Sequence, residues 1–497
     1  MRDYFHSLWS VKRLLGLVVC AAAGCAALCS LSWRMVNDTP ILLYLANLMV
    51  RWGAVPYRDF FDMNLPGSYW MFGWIIRTLG TSDLSVHAAN LIVLASVSVL
   101  LFAVLSKPCA ACAALGVGLG ALRFFSGESA FTLQRELFAL IPISVLLVLG
   151  LRRPLRGCGC QGAVAGALLA GLALIKPQLV LYGLPVAVLL GAECANGRQR
   201  IRLYAWMGVG GALPLFACWA WLVRSGAWPG FCEVVQYWTL YGQMTNGFGF
   251  VITGDRFYYI LRGLMRMVCS PYSVVAGLSL FAGWQSGLLS RKHLWVWWGL
   301  LALTVIVPSL TGQFWGYHRL PFYYLSLCVS GYLLAGRGWA TALAVLMVAF
   351  WVPFTGWRVW RETSVPSVIS QKHGVPDAFA RYLAANLRHG DRAQPVDWSC
   401  GAVQGMLAAD ALPATRFPYT FYFLHHVRHP LIQKIRKEFM NQLERNPPRF
   451  LLEATTVPLP TGIGTEERFE AFETWRAMHY RVAEAGEHYR IWEYQGK

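Results

Sequence analysis

The stretch RDFFDMNLPG, residues 58–67, places an arginine and two aspartates in a chain that is otherwise strongly apolar. Of the 497 residues, 56% are hydrophobic and only 14% are charged. The mean hydropathy is +0.44. An average soluble domain has about 25% charged residues. The composition therefore predicts a polytopic membrane protein, and the charged stretch needs a reason.

Apolar runs on both sides of this stretch predict about eleven membrane spans, although some are shorter than the roughly 20 residues that a spanning helix needs. The runs lie at about 14–34, 84–105, 108–123, 136–151, 161–175, 178–192, 203–223, 267–288, 294–310, 320–335 and 338–356. Lys12 and Arg13 precede the first run, and no clear small-residue cleavage site follows it. We expect this run to be a retained helix rather than a signal peptide.

Basic residues gather in alternate connections, which predicts a cytoplasmic N-terminus and an extracytoplasmic tail. These residues are Lys107, Arg152, Arg153, Arg156, Arg198, Arg200, Arg202, Arg291, Lys292 and Arg337. The net charge of +18 is thus a topology signal rather than a nucleic-acid footprint, and no nucleic acid is expected as a partner. Most acids before residue 358 fall on the opposite side, in or beside the predicted external segments.

The series of apolar runs, followed by a tail with the composition of a soluble domain, predicts a mainly α protein with two domains. Residues 1–357 form the transmembrane domain, including a first external loop at 36–83, and residues 358–497 form a small extracytoplasmic α/β domain. In the tail, 447–455 and 488–495 are typical of strands, and 430–445 is typical of an amphipathic helix. Its HHVRH stretch, residues 425–429, lacks an obvious fourth zinc ligand.

The first external loop is predicted to hold two surface helices joined by an acidic turn. Apolar residues recur at helical spacing in TPILLYLANLMVRWG (39–53), and SYWMFGWIIRTLG (68–80) is aromatic and interfacial. Asp59 and Asp62 lie in the turn between them. Both could serve only to form the turn, and Asp38 could be a helix N-cap. All three are also placed to act on a substrate at the membrane surface.

This loop resembles the first external loop of the GT-C superfamily of membrane glycosyltransferases, in particular the protein O-mannosyltransferase and lipid A aminoarabinose transferase group (glycosyltransferase family 39-like). The resemblance rests on Asn37-Asp38-Thr39-Pro40, Tyr44, Gly53, Pro56-Tyr57-Arg58-Asp59, Asp62 and Pro66-Gly67. Further matches are GESAFTLQRE (127–136), Lys176-Pro177-Gln178 and GQFWGYHRLP (312–321).

The resemblance implies transfer of a sugar from a polyprenyl-phosphate donor to a lipid, glycan or protein acceptor, in cell-envelope glycan synthesis at the outer face of a bacterial inner membrane. The chemistry is consistent with this. A lipid phosphate leaves as an anion and needs a cation, so one carboxylate base suffices. We expect Asp38 to be the base, with Asp59 and Asp62 as second choices. The resemblance establishes no cofactor, and a divalent metal ion on these three aspartates stays open.

The predicted substrate-binding residues are Tyr44, Arg58, Arg135, Glu136, Lys176, Gln178, Tyr317, His318 and Arg319. Several have structural alternatives. Glu136 is favoured at a helix N-terminus by the helix dipole, and His318 and Arg319 could be interfacial anchors. Lys176 interrupts an apolar run, which favours a role inside a pocket because a charge facing lipid is costly.

Two other classes of protein also fit a polytopic chain. A transporter or lipid flippase is the main alternative, but its charges usually lie near the bilayer midplane, whereas these acids gather at one surface. A noncatalytic assembly protein offers no reason for the acidic surface. Membrane lipids are expected partners in every case.

Overall fold

The computed structural model describes residues 2–107, 109–151, 158–244, 251–252, 255–336, 338–397, 401–455, 461–462 and 468–496. Arg152, Arg153, Arg156 and Arg337, which contributed to the predicted topology, lie outside these residues. The described part is mainly helical, with a small sheet near the C-terminus, as the sequence predicts.

The α-helices are α1 Arg2–Ser30, α2 Asp38–Trp52, α3 Pro66–Thr78, α4 Asp83–Ser106, α5 Ala110–Phe125, α6 Arg135–Leu151, α7 Cys158–Ile175, α8 Leu184–Ala192, α9 Gly197–Arg224, α10 Trp228–Tyr241, α11 Arg256–Val268, α12 Pro271–Gln285, α13 Arg291–Thr311, α14 Leu320–Val329, α15 Gly338–Ser364, α16 Pro366–Asn386, α17 Gly401–Ala408, α18 Pro430–Arg445 and α19 Glu470–His479. Short 3-10 helices cover Glu128–Phe131, Pro177–Gly183, Gly316–Arg319, Ser330–Ala335 and Phe421–Phe423. The strands are β1 Val251–Ile252, β2 Ala393–Pro395, β3 Phe450–Ala454, β4 Thr461–Gly462, β5 Tyr480–Gly486 and β6 Tyr489–Tyr494.

The chain forms two compact units. The helical unit contains Met1–Trp33, Asp83–Cys218 and Ile260–Val365, and the mixed unit contains Arg34–Ser82, Trp219–Tyr259 and Pro366–Lys497. The predicted domain boundary at residue 357 lies inside α15. The first external loop belongs to the same unit as the tail, a grouping that arises from contacts between residues far apart in the sequence.

Several helices are long and apolar enough to cross a membrane, so the chain is an integral membrane protein. Among the described residues there are five such helices, or six if the bent pair α11 and α12 forms one span. Other predicted spans are shorter apolar helices, such as α5 and the helical stretches Gly159–Ile175 and Pro177–Ala192. The predicted count of about eleven is not confirmed, because these helices fall short of the length that a straight crossing needs.

Close helix packing in the helical unit depends on glycine. A Cβ atom on Gly210 of α9 would lie 2.0 Å from the carbonyl oxygen of Ala163 in α7, and one on Gly166 would lie 1.9 Å from that of Met207. The backbones can approach this closely because the glycine that faces the neighbouring carbonyl oxygen has no side chain, which is a common feature of helix pairs in membranes.

In the mixed unit, α2 packs against α3 and α17. The ten residues from Thr39 to Leu48 are all buried, so α2 does not present a single apolar face along this length. The sheet has the order β2-β3-β6-β5, in which β2 and β3 are parallel and the other pairs are antiparallel. The predicted tail strands and amphipathic helix correspond to β3, β6 and α18.

The packing of α7 on α9 generates a stability prediction. We expect Gly210→Ala to destabilise the protein by about 1–3 kcal/mol, the usual cost of overpacking, because the added methyl group meets backbone. Gly208→Ala is the matched control in the same helix, since a Cβ there meets nothing within 4 Å. Alanine favours a helix over glycine by about 1 kcal/mol, so this control should be neutral or stabilising. Unfolding in detergent measures both, and equal stability of the two variants would contradict the packing described.

Candidate functional site

In the helical unit, a buried carboxylate and a lysine from distant segments form an ion pair. Glu136 lies in the first turn of α6, and Lys176 lies between α7 and the 3-10 helix that begins at Pro177. Lys176 Nζ is 2.7 Å from Glu136 Oε1, and the Glu136 side chain is only 1% exposed. Proline stops α7 here, and this break turns the lysine toward the glutamate instead of continuing an apolar helix.

Glu136 retains an unused hydrogen-bond acceptor. Its second oxygen, Oε2, is buried and accepts no hydrogen bond from the residues that the structure describes. A buried acceptor without a donor costs roughly 1–3 kcal/mol, so such an atom is typical of a site that a ligand or water completes.

His318 lies beside this pair as a neutral group. Burial, with a smaller effect of Lys176, lowers its pKa to about 3. Its Nδ1 donates to the carbonyl oxygen of Gln313 at 3.0 Å, which leaves Nε2 without a proton. Nε2 is 3.8 Å from Glu136 Oε1, and since the ring is neutral this contact is not an ion pair.

The other predicted residues of this unit lie on the same segments. Arg135 and Gln178 are half-buried at the start of α6 and in the Pro177–Gly183 helix. The ring of Tyr317 is 4.6 Å from that of His318, and the Arg319 guanidinium lies 5.8 Å from the ring centroid of Tyr323. The structure therefore brings together residues from three of the predicted motifs.

The segment before α6 has a strained backbone that charges hold in place. Glu128 has a positive φ of 57°, which is rare for a residue other than glycine. Its carboxylate is 2.5 Å from Arg361 Nη2 and 3.1 Å from Arg358 Nε, at the end of α15. The Asn90 Oδ1 accepts a hydrogen bond from the Leu133 backbone at 3.0 Å. Neither arginine was predicted to be a functional residue from the sequence, although two arginines three residues apart at the end of the last apolar run were a signal.

In the mixed unit, Asp62 is fully buried inside a cage of hydrogen-bond donors. Its Oδ2 accepts from the Asn64 side chain and from Tyr69 Oη, each at 2.6 Å. Its Oδ1 accepts from Tyr419 Oη at 2.9 Å and from Tyr422 Oη at 2.8 Å. This environment favours a structural role, because both oxygens are occupied and the residue is 0% exposed.

The tyrosines of this cage were not predicted from the sequence. Burial and the charge of Asp62 raise the pKa of Tyr419 and Tyr422 well above the ordinary value, so both hydroxyls stay protonated donors. The spacing PYTFYF, residues 418–423, gives no indication that these side chains meet a turn more than 350 residues earlier.

Asp59 is tied to its neighbour Arg58. Its Oδ1 is 2.9 Å from Arg58 Nε, and its Oδ2 is 2.8 Å from Arg58 Nη2. The Val55 backbone N–H also donates to Oδ2 at 2.7 Å, and Arg58 Nη1 donates to the Ser225 carbonyl oxygen at 3.0 Å. The hydrogen bond from Arg58 lowers the pKa of Asp59. A carboxylate held in this way is a weaker base.

Asp38 is the first residue of α2 and is half-buried. The N-cap position belongs to Asn37, whose side chain makes no capping hydrogen bond and whose φ is 59°, so the N-cap alternative for Asp38 is wrong. Asp38 is near enough to Tyr419 for its charge to contribute, after burial and Asp62, to the raised pKa of that hydroxyl. Tyr44, farther along α2, is buried and donates to the Ala411 carbonyl oxygen at 2.8 Å.

The three aspartates do not gather as a metal-ligand set. Among the residues that the structure describes, no group of three or more histidines, cysteines, aspartates and glutamates is arranged to hold a metal ion. The divalent metal ion that the sequence left open stays an untested alternative.

Comparison with solved structures shows that this fold is similar to that of ArnT. The chain is similar to the crystal structure of ArnT from Cupriavidus metallidurans in the apo state, with a TM-score of 0.59 and 12% sequence identity, covering 96% of this chain and 97% of that one. For ArnT bound to undecaprenyl phosphate the TM-score is 0.56, with 12% identity and coverage of 99% and 98%. ArnT is a lipid A aminoarabinose transferase.

At 12% sequence identity, these comparisons show similarity of fold. The resemblance predicted from the sequence is confirmed at this level. No family model and no curated protein sequence matches the chain.

The neutral state of His318 predicts a pH dependence of stability. The folded protein keeps His318 unprotonated until about pH 3, whereas in the unfolded chain it binds a proton below about pH 6.5. The stabilisation is therefore complete above about pH 6.5 and is lost as the pH falls. Between pH 6.5 and 5.5, the wild-type protein should lose about 1 kcal/mol more than His318→Gln.

Chemical unfolding in detergent at several pH values measures this difference. His389→Gln, which changes an exposed histidine, is the control and should keep the wild-type slope. If the free energy of unfolding depends on pH in the same way for the wild type and for His318→Gln, His318 has the same pKa in the folded and unfolded states, and the prediction is wrong.

Proposed function

We propose that this chain is a membrane glycosyltransferase that moves a sugar from a polyprenyl-phosphate donor to an acceptor. The observation that carries the proposal is the likeness to ArnT, which extends over nearly the whole of both chains. That neighbour was crystallised with undecaprenyl phosphate, which supports a donor of this kind.

The first requirement of this reaction is a set of cations for the leaving phosphate. We assign this role to Lys176, Arg135 and Arg319. Lys176 brings a positive charge beside Glu136, and its ammonium group has three N–H donors. Because His318 is neutral, it is a poor ligand for a phosphate charge, and we assign it to lining the site rather than to binding the anion. Tyr317 and Gln178 lie on the same segments and are candidates for contacts with the donor.

The second requirement is a base for the acceptor, and we assign it to Asp38. Of the three predicted aspartates, Asp62 is enclosed by donors and Asp59 is bound by Arg58. The hydrogen bond from Arg58 lowers the pKa of Asp59, and both oxygens of the buried Asp62 already accept hydrogen bonds, so neither carboxylate is placed to take a proton from the acceptor. Asp62, Asp59 and Arg58 then shape the loop that carries Asp38, and Tyr44 fixes α2 to the tail.

The proposed step balances as a single displacement. The acceptor oxygen or nitrogen attacks the anomeric carbon of the donor sugar, and its proton passes to Asp38. The bond between the anomeric carbon and the phosphate oxygen breaks, and the electron pair leaves with the polyprenyl phosphate. Lys176, Arg135 and Arg319 stabilise the charge on that phosphate as it departs.

For the location, we propose a bacterial inner membrane with the N-terminus in the cytoplasm and the C-terminal domain, residues 358–497, outside. The alternation of basic connections supports this orientation. No specific observation favours the transporter or flippase alternative, and the variants below also test it, because a transporter needs no general base at Asp38.

The base assignment is tested with Asp38→Asn. The substitution keeps the size of the side chain and its place in the first turn of α2, but removes the basic carboxylate, so sugar transfer should fall by roughly 10²-fold or more at normal protein abundance. Transfer from a radiolabelled polyprenyl-phosphate sugar pool in isolated membranes is the measurement.

Asp83→Asn is the matched control, since Asp83 is likewise the first residue of a helix, α4, and this variant should stay active. An abundant, fully active Asp38→Asn protein would exclude Asp38 as the base.

The phosphate assignment is tested with Lys176→Gln. Affinity for undecaprenyl phosphate, measured on the purified protein in detergent, should fall by about 10-fold or more because a charge-assisted contact is lost. Lys292→Gln is the matched control: Lys292 is also paired with a glutamate, Glu193, at 2.9 Å, but its side chain is 65% exposed.

A single change at Lys176 leaves Glu136 buried without its cation, which itself is destabilising. The double variant Lys176→Gln with Glu136→Gln removes both charges and separates loss of folding from loss of binding. Wild-type affinity in a folded double variant would rule out Lys176 as a phosphate ligand.

A further inference from the structure

The mixed unit contains a cleft of about 930 Å³. Of the residues that line it, only Arg58 and Asp59 have been given a role above. Its walls come from the end of α2, the start of α10, residues 412–416 and α18. Its volume lies in the range of about 300–1,000 Å³ that is typical of small-molecule sites. Gly230 allows the close approach of α10, because a Cβ there would lie 2.1 Å from the Tyr57 carbonyl oxygen.

Most of the charges in the cleft neutralise one another. Arg416 is 2.6 Å from both Glu233 and Glu438, and Lys434 is 2.8 Å from Glu233. Burial alone would raise the pKa of Glu233, but hydrogen bonds from Lys434 and Arg416 outweigh it and lower the pKa. These pairs form a rigid polar wall whose charges are already compensated.

Arg392 differs from the other cations of the cleft. It is half-buried just before β2, and its Nη1 donates to the Pro413 carbonyl oxygen at 2.9 Å. Among the residues that the structure describes, no carboxylate forms an ion pair with it. A guanidinium has five N–H donors in a planar fork that suits a carboxylate or a phosphate. Arg392 therefore leaves a positive charge facing the cleft.

The other surfaces of the cleft suit a sugar. Trp52, at the end of α2, is 52% exposed and offers a flat apolar face with a polar edge. Asn446, at the end of α18, is exposed and carries an amide with both donors and acceptors. An aromatic face, an amide and an uncompensated guanidinium are complementary to a sugar ring that carries an anionic group.

We propose that this cleft binds a saccharide that carries a carboxylate or phosphate, with Arg392 as the anion ligand and Trp52 as the stacking surface. Within the transferase proposed above, on which this reading rests, the saccharide is part of the acceptor. The shared chemistry is an anionic sugar, which could belong to a free glycan or to the headgroup of a glycolipid.

The test measures binding by calorimetry with the full-length protein in detergent, independently of transfer. The probe is trigalacturonic acid, and the comparison ligands are maltotriose and inorganic phosphate. We expect trigalacturonic acid to bind at least 10-fold more tightly than either, because only it combines sugar rings with anionic groups. Phosphate binding as tightly as the trisaccharide would overturn the saccharide part of the proposal.

Variants then locate the site. Arg392→Gln should weaken trigalacturonic acid binding about 10-fold or more and leave maltotriose binding unchanged. Arg428→Gln removes an exposed arginine that does not line the cleft, and should bind as wild type. Wild-type binding by a folded Arg392→Gln protein overturns the proposal. Glucuronosyl diacylglycerol in mixed detergent micelles separates the sources: Arg392-dependent binding tighter than that of trigalacturonic acid points to a glycolipid headgroup, and weaker binding points to a free glycan.

The binding test can fail independently of the proposed transferase activity. Asp38→Asn should keep full trigalacturonic acid binding although it loses transfer. If Arg392→Gln binds normally while Asp38→Asn is inactive, the cleft proposal is wrong and the transferase proposal stands. If Arg392→Gln loses binding while the wild-type protein transfers no sugar, the cleft binds an anionic saccharide and the transferase proposal is wrong.

Discussion

The burial of Asp62 is the constraint on which the mixed unit depends. A carboxylate removed from water must be surrounded by donors, since an unsatisfied buried charge costs several kcal/mol. The turn itself supplies Asn64 and Tyr69, and the tail supplies Tyr419 and Tyr422. The first external loop can therefore bury its acid only when the tail folds onto it. This requirement explains why two segments so far apart in the sequence form one compact unit.

The helical unit applies the same rule to a different charge. Glu136 is buried against Lys176, and each makes the other tolerable in an apolar interior. The charges proposed to act on substrates are Lys176, Arg135 and Arg319 in this unit, and Asp38 and Arg392 in the mixed unit. Asp62 and Glu233, by contrast, are enclosed by their own partners. Structural and functional charges are thus distinguished by their partners rather than by residue type, and the same loop carries both kinds.

Hydropathy predicted well where the apolar helices lie. It did not predict how many of them are long enough to cross a membrane. The run at 108–123 became α5, a helix of 16 residues, and Lys176-Pro177 divided a long apolar segment into shorter helices. Hydropathy measures composition, whereas crossing a bilayer requires length. In the loop, periodicity and proline predicted α2 and α3 closely. These local signals could not predict that residues 39–48 are all buried, because that burial depends on contacts with α17 and the tail.

The sequence by itself determined the class of protein, the charged loop after the first apolar run, the helices that flank it and the resemblance that the fold bears out. Those features arise from local chemistry: apolar length, helical periodicity and turn-forming residues. Only the tertiary structure separated the three aspartates into a caged Asp62, an arginine-bound Asp59 and a half-buried Asp38. The same is true of the pairing of Glu136 with Lys176 and of Arg392, which forms no ion pair with a carboxylate in the described part of the chain. The fate of a charged group is decided by its solvation and its partners, and those come from segments tens to hundreds of residues away.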